Sequence, residues 1–232
     1  MVIAFPFAGG NKYSYNAIFG RDRNFLTLEY PGRGARSSEK LMTDVDTIVD
    51  DALDQVLPHI RESGEYVLYG HSMGALIAFL VSRKIEESGF RRPSKLVVSG
   101  RNAPSHVRVH SFSMLDDQAF VQKLARLGGI PLDFLQQPAL LQYFIPAMRA
   151  DILALEKFRH CADKKLTVPI DVLLGMDDPI TKNIPHEWAA ETTANTNFMS
   201  FSGDHFFIFG HREYLRLHLL GSRSSAGVPS MY

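Results

Sequence analysis

The sequence predicts an α/β fold, a mostly parallel central sheet flanked by helices and interrupted by a helical insertion. Three observations carry this. A chain of 232 residues with 45% apolar and 22% charged residues supports one sizeable core. Six short apolar runs alternate with helical patterns, as in a parallel sheet covered on both faces. One interval, from Pro104 to Thr167, breaks that alternation and holds helical patterns without a convincing strand.

Taken in order, the first strand is VIAF (2–5), ended by Pro6 and the pair Gly9–Gly10. NFLTLEY (24–30) is the second, ended by PGRG (31–34). A helix follows from about Thr43, a suitable N-cap, with Val45, Ile48, Val49, Ala52, Leu53 and Val56 forming one apolar stripe. EYVLYG (65–70) is the third strand, and a helix starts after Ser72. KLVVSG (95–100), PIDVLLG (169–175) and TNFMSFSG (196–203) complete the strands, and a last helix reads near 211–221. The core thus comprises 1–104 and 168–222, and the small polar residues of 223–232 predict a fraying tail.

The insertion, 105–167, contains DDQAFVQKLARL (116–127) and MRADILALEKF (148–158) as helical patterns. Between them lies a Leu-, Phe- and Pro-rich stretch, 128–146. This is too long for a plain connection. It reads as a helical lid over the C-terminal edge of the sheet, or as a helical subdomain that only packs. Leu132, Phe134, Leu135, Leu141, Phe144 and Met148 are its candidate substrate-contacting residues, with lid core as the equal alternative.

The chemistry centres on GHSMG (70–74). This G-x-S-x-G falls where a strand runs straight into a helix, so the turn must be very tight. Gly70 and Gly74 remove the Cβ atoms that would clash there, leaving Ser72 strained with its hydroxyl raised above the sheet. The helix N-terminus beneath it offers N–H groups and partial positive charge to an oxyanion. The alternative is an ordinary serine N-cap beside packing glycines. The partners of a nucleophile should follow later strands in the order acid, then histidine. MDDPI follows the fifth run and DHFFIF the sixth, which gives Ser72, Asp178 and His205 as a catalytic triad. Asp178 is preferred over its neighbour Asp177 because Pro179 stiffens the loop after it.

Among nine histidines, His71 is too close to Ser72 to act as its base. His211 and His218 fall in the last helix, in solvated or capping roles. His59, His106, His110, His160 and His186 follow no core strand. Oxyanion donors are assigned to the N–H of Met73 and, from the glycine-bearing loop FPFAGG (5–10), of Ala8, with Phe7 the close second. Phe7 also counts among the substrate-binding candidates.

Composition excludes several other classes. Formal net charge is zero with no long run of one sign, which argues against nucleic acid or an anionic membrane as partner. G-x-x-x-x-G-K-[ST], G-x-G-x-x-G after the first strand, and H-E-x-x-H are all absent, so neither a nucleotide cofactor nor a metal is expected. One cysteine, Cys161, allows no intrachain disulfide and points to a reducing compartment. The start MVIAFPFAGG lacks signal-peptide features, and no window has the roughly 18 apolar residues of a membrane span. A cytoplasmic monomer is the expectation.

Across most of the chain these segments resemble the type II thioesterases that accompany polyketide and nonribosomal peptide synthases. FPFAGG (5–10), YPGRGAR (30–36), GHSMG (70–74), SGRNAP (99–104), LGGIP (127–131), PAMRAD (146–151) and GMDDPI (175–180) are similar to that family's segments in the same order. The resemblance implies an α/β-hydrolase fold with a helical lid and a Ser72–Asp178–His205 triad. It also implies hydrolysis of acyl groups from the phosphopantetheine arm of carrier proteins, clearing stalled or misprimed units. Where that family has glycine before its histidine, this chain has Asp204, a carboxylate able to raise the His205 pKa or compete for its orientation. The rival readings are a generic carboxylesterase or lipase with the same triad, a non-catalytic carrier-protein binder, and an acyltransferase.

Overall fold

The computed structural model describes residues 1–62, 64–106, 112–126, 137–161, 164–181 and 185–221. Six parallel strands lie in the order β2-β1-β3-β4-β5-β6. They are β1 (Val2–Phe5), β2 (Phe25–Thr27), β3 (Val67–His71), β4 (Lys95–Ser99), β5 (Ile170–Gly175) and β6 (Thr196–Phe201). The helices are α1 (Asn16–Phe19), α2 (Val45–Glu62), α3 (Met73–Glu87), α4 (Asp117–Arg126), α5 (Pro138–Lys157) and α6 (Arg212–Leu220).

Side chains alternate between two cores, as the strand period of 2 requires. Ile3, Phe5, Leu68, Leu96, Val98, Ile170 and Val172 face a core shared with α2 and α3. Val2, Ala4, Tyr69, Val97 and Leu173 face the opposite core, shared with α1 and α6. Burial on both faces explains why these strands read as continuous apolar runs. α3 is central: from Met73 to Phe79 every residue is buried.

The strand order reverses between β1, which pairs with both β2 and β3, and β3, whose other neighbour is β4. Chains leaving those two strands diverge above the sheet, opening a crevice at their carboxyl ends. The loops after β1 and β3 therefore border the same space.

Boundaries differ from the sequence reading in three instructive places. The second strand stops at Thr27 because Gln55 of α2 intervenes. Its Oε1 accepts from the Glu29 N–H at 3.2 Å and its Nε2 donates to the Glu29 carbonyl at 3.1 Å. The α2 cap is Asp44, not Thr43: its Oδ1 accepts from the N–H of Asp46 at 3.0 Å and Thr47 at 3.1 Å. Helix α5 begins ten residues before the expected start at Met148 and contains Pro146. A proline forfeits one intrahelical bond, yet a helix anchored on both sides tolerates it. The tail, 223–232, lies outside the described residues.

A Cβ at position 74 would overlap the Phe5 carbonyl oxygen, and one at position 70 would overlap the Gly74 carbonyl. Gly74→Ala should therefore lose at least the ~1–3 kcal/mol typical of overpacking, read as a lower midpoint in urea unfolding. An unchanged midpoint would contradict this packing.

Candidate active site

β3 ends at His71 and α3 begins at Met73, so a single residue makes the turn. Ser72 sits at φ 54°, ψ −115°, the one non-glycine residue at positive φ among the described residues. Such strain costs on the order of 1–3 kcal/mol and persists only where neighbours impose it. The turn is held by a hydrogen bond from the Ser72 N–H to the Ser99 carbonyl at 2.8 Å. Its own carbonyl accepts from the Ala75 N–H at 3.2 Å, and the two glycines let the strand and helix meet.

Three residues expected from separate strand ends come together here. His205 Nε2 lies 3.0 Å from Ser72 Oγ, and His205 Nδ1 lies 3.0 Å from Asp178 Oδ2. Asp178 is fully buried and His205 nearly so. A carboxylate only accepts, so Nδ1 carries the proton and Nε2 is left as an acceptor for the Ser72 hydroxyl. Asp178 also accepts from the Ile180 N–H at 2.8 Å and the Thr181 hydroxyl at 2.9 Å. Burial favours the protonated acid, but the hydrogen bonds from His205, Ile180 and Thr181 outweigh it and hold the carboxyl below its usual range. Asp177, the alternative acid, is exposed.

His71 packs beside the site as expected, its ring centroid 5.0 Å from that of His205. Its Nδ1 is 2.9 Å from Ser99 Oγ. Burial, and then the neighbouring His205, push its pKa well below the ordinary value, so it stays neutral beside the His205 ring. Asp204 neither meets nor competes for that imidazole: it is exposed, and Oδ1 accepts from the Phe206 N–H at 2.9 Å. Nor is His218 simply solvated, since Nε2 lies 3.0 Å from Asp171 Oδ2.

The loop after β1 supplies the opposite wall. Phe7 makes edge contacts with His71, Tyr15, Phe206 and Phe209. Met73 opens α3, where backbone N–H groups lack intrahelical acceptors. Among the described residues, none accepts from the N–H of Phe7 or Ala8. Both residues lie on the loop that carries the Phe7 ring to His71 and Phe206.

The insertion candidates fall into two groups. Phe134 and Leu135, with Leu132, lie outside the described residues. Met148 and the half-buried Phe144 and Leu141 pack in a small separate core with Phe120 and Leu124. Met148 additionally covers Gly9, where a Cβ would overlap its side chain. Sequence reasoning missed three contributors. Thr181 bonds the acid, Asn102 holds its loop through the Ile180 carbonyl at 3.0 Å, and a buried Arg33–Asp151 pair touches the β1 loop. The segments SGRNAP, YPGRGAR and PAMRAD contain Asn102, Arg33 and Asp151 without assigning them a task. No group of metal-ligating side chains occurs among the described residues, and none of their helices is long and apolar enough to cross a membrane.

A parallel sheet in this order, with a serine on a positive-φ strand-to-helix turn and a histidine and aspartate from later strand ends, is the α/β-hydrolase fold. Within it the chain belongs to the thioesterase family: the Thioesterase domain model matches residues 1–219. It is 33% identical to a probable cadicidin biosynthesis thioesterase of Streptomyces griseus over 90% of this chain and 58% of that protein. It is 34% identical to Thioesterase PikA5 of Streptomyces venezuelae over 89% of this chain and 75% of the relative. Among solved structures it is similar to the type II thioesterase BorB from the borrelidin biosynthetic cluster. That match has a TM-score of 0.82 and 31% identity, covering 92% of this chain and 88% of the other. The chain thus spans little more than half of the S. griseus relative's length.

Asp178 makes a signed prediction. Its pKa is lowered on folding, so its stabilisation is complete above the unfolded value near 3.8 and lost as pH falls through the folded one. Urea unfolding of wild type and Asp178→Asn should give stabilities that converge below about pH 4. A constant difference down to pH 2 would contradict it.

Proposed function

We propose that this protein hydrolyses acyl thioesters carried on the phosphopantetheine arm of carrier proteins in polyketide or nonribosomal peptide biosynthesis. In that role it removes stalled or misprimed acyl units. The observation that carries the chemistry is the continuous hydrogen-bonded chain from Asp178 through His205 to Ser72. The family membership and the biosynthetic names of its relatives support the substrate class.

In this reading Ser72 Oγ attacks the thioester carbonyl while His205 Nε2 takes its proton. Asp178 keeps the proton on Nδ1 and stabilises the imidazolium. The oxyanion is held by the N–H of Met73, at the positive end of α3, and by that of Ala8. Collapse of the tetrahedral intermediate breaks the C–S bond, and His205 returns the proton to the departing thiol. Water, deprotonated by the same imidazole, attacks the acyl-enzyme; the acid leaves and Ser72 regains its proton. The neutral His71 adds no charge that would oppose the imidazolium. The reading includes the insertion, 105–167, as a lid over the crevice, and a cytoplasmic location beside the synthase. No cofactor is required beyond the arm borne by the partner.

Mass spectrometry of an acetyl-loaded holo carrier protein tests this. Wild type should remove the acyl mass and Ser72→Ala should leave it in place while remaining folded. Asp178→Asn should lower kcat by about 10⁴-fold, because it favours the wrong tautomer. If wild type leaves the carrier acylated but still cleaves a p-nitrophenyl ester, the generic esterase reading replaces this one.

A further inference from the structure

Arg33 and Asp151 form an ion pair removed from water: their side chains are 6% and 0% exposed. The fork is bidentate, with Nη1 2.6 Å from Oδ2 and Nη2 2.8 Å from Oδ1. Desolvating two charges is costly, and such a pair is often no more stabilising than an apolar one of the same shape. Its worth must be sought in what else it holds. Asp151 Oδ2 accepts a third hydrogen bond, from the Gly9 N–H at 2.8 Å. Arg33 Nη1 also donates to the Gly10 carbonyl at 3.3 Å. The ion pair therefore grips the loop after β1 by one donor and one acceptor.

The rest of that loop is tied as well. The Tyr15 hydroxyl donates to the Phe5 carbonyl at 2.8 Å and the Tyr30 hydroxyl to the Pro6 carbonyl at 3.2 Å. The Tyr30 ring also lies against the Arg33 guanidinium, 5.4 Å from its centroid. The Gly10 N–H donates to the Phe7 carbonyl at 2.8 Å. What remains open, among the described residues, is the pair of N–H donors on Phe7 and Ala8. Met148 and Asp151, one turn apart on α5, both act on Gly9, which adopts φ 74°. The loop is thus fixed from three chain segments distant in sequence.

We propose that Arg33 and Asp151 are positioning residues for thioester hydrolysis: the pair holds Gly9 and Gly10 so that the Ala8 N–H points at the developing oxyanion. This rests on the Ser72 hydrolase reading above. A displaced donor costs rate while leaving ground-state binding and the His205 ionisation untouched.

The test compares two double variants of equal shape and no charge, Arg33→Met/Asp151→Asn and Arg33→Met/Asp151→Leu. The first keeps an acceptor for the Gly9 N–H and the second does not. Rates of p-nitrophenyl ester cleavage and of Ser72 labelling by a fluorophosphonate are read per folded molecule. The Asn variant, which loses the Arg33 bond to the Gly10 carbonyl but keeps an acceptor for Gly9, should lose about three- to fivefold in kcat. The Leu variant should lose roughly 10–100-fold in kcat and in labelling rate, with KM and the acid limb of the pH profile unchanged. Equal kcat for the two variants would overturn the proposal while leaving the hydrolase reading intact. A wild type that neither cleaves nor labels would overturn the hydrolase reading itself, and this proposal with it. Should the Leu variant fail to fold, amide exchange in wild type decides. The Gly9 amide should exchange at least 100-fold more slowly than those of Phe7 and Ala8, and comparable rates for all three would overturn the proposal.

Discussion

The structure depends on one residue of backbone in the wrong half of conformational space. Ser72 adopts a φ that an L-residue avoids, and everything nearby serves to hold it there. Gly70 and Gly74 give up side chains so that β3, α3 and the β1 loop can meet. The buried start of α3 prevents the helix from backing away, and the Ser99 carbonyl fixes the Ser72 amide. The return for this strain is geometric: Oγ stands clear of the sheet at the end of a helix, within reach of an imidazole from a strand two places beyond β4.

The electrostatics follow from the same arrangement. A fully buried carboxylate is unfavourable unless its lone pairs are used, and Asp178 uses them on His205, Ile180 and Thr181. That satisfaction keeps the acid ionised where an imidazolium needs a counter-charge. His71 shows the opposite outcome for burial. With no carboxylate hydrogen-bonded to it among the described residues, it is driven to the neutral form beside His205.

Much of this was legible in the sequence because the relevant physics is local or periodic. Strands buried on both faces announce themselves as apolar runs, and a G-x-S-x-G between a strand and a helix implies a tight turn. Asp178 and His205 could be selected because topology sends strand ends to one edge. What was not legible depends on pairs far apart in the chain. β2 was overestimated because Gln55, more than twenty residues later, takes the main chain of Glu29. The start of α5 was placed late because Pro146 reads as a break when its helix is considered alone. The Arg33–Asp151 pair spans 118 residues and leaves no periodic trace. Phe144 and Met148 are apolar whether they line an acyl channel or fill a local core, and their packing with Phe120 and Leu124 is visible only in three dimensions.

Whether this turn sets Ser72 between a base and two oxyanion donors is read from a crystal structure of the protein inactivated by a phosphonate. A covalent bond should run from Ser72 Oγ to phosphorus, with the phosphonyl oxygen about 2.7–3.1 Å from the N–H groups of both Met73 and Ala8. An adduct whose oxygen points to solvent or to another pair of donors would contradict it.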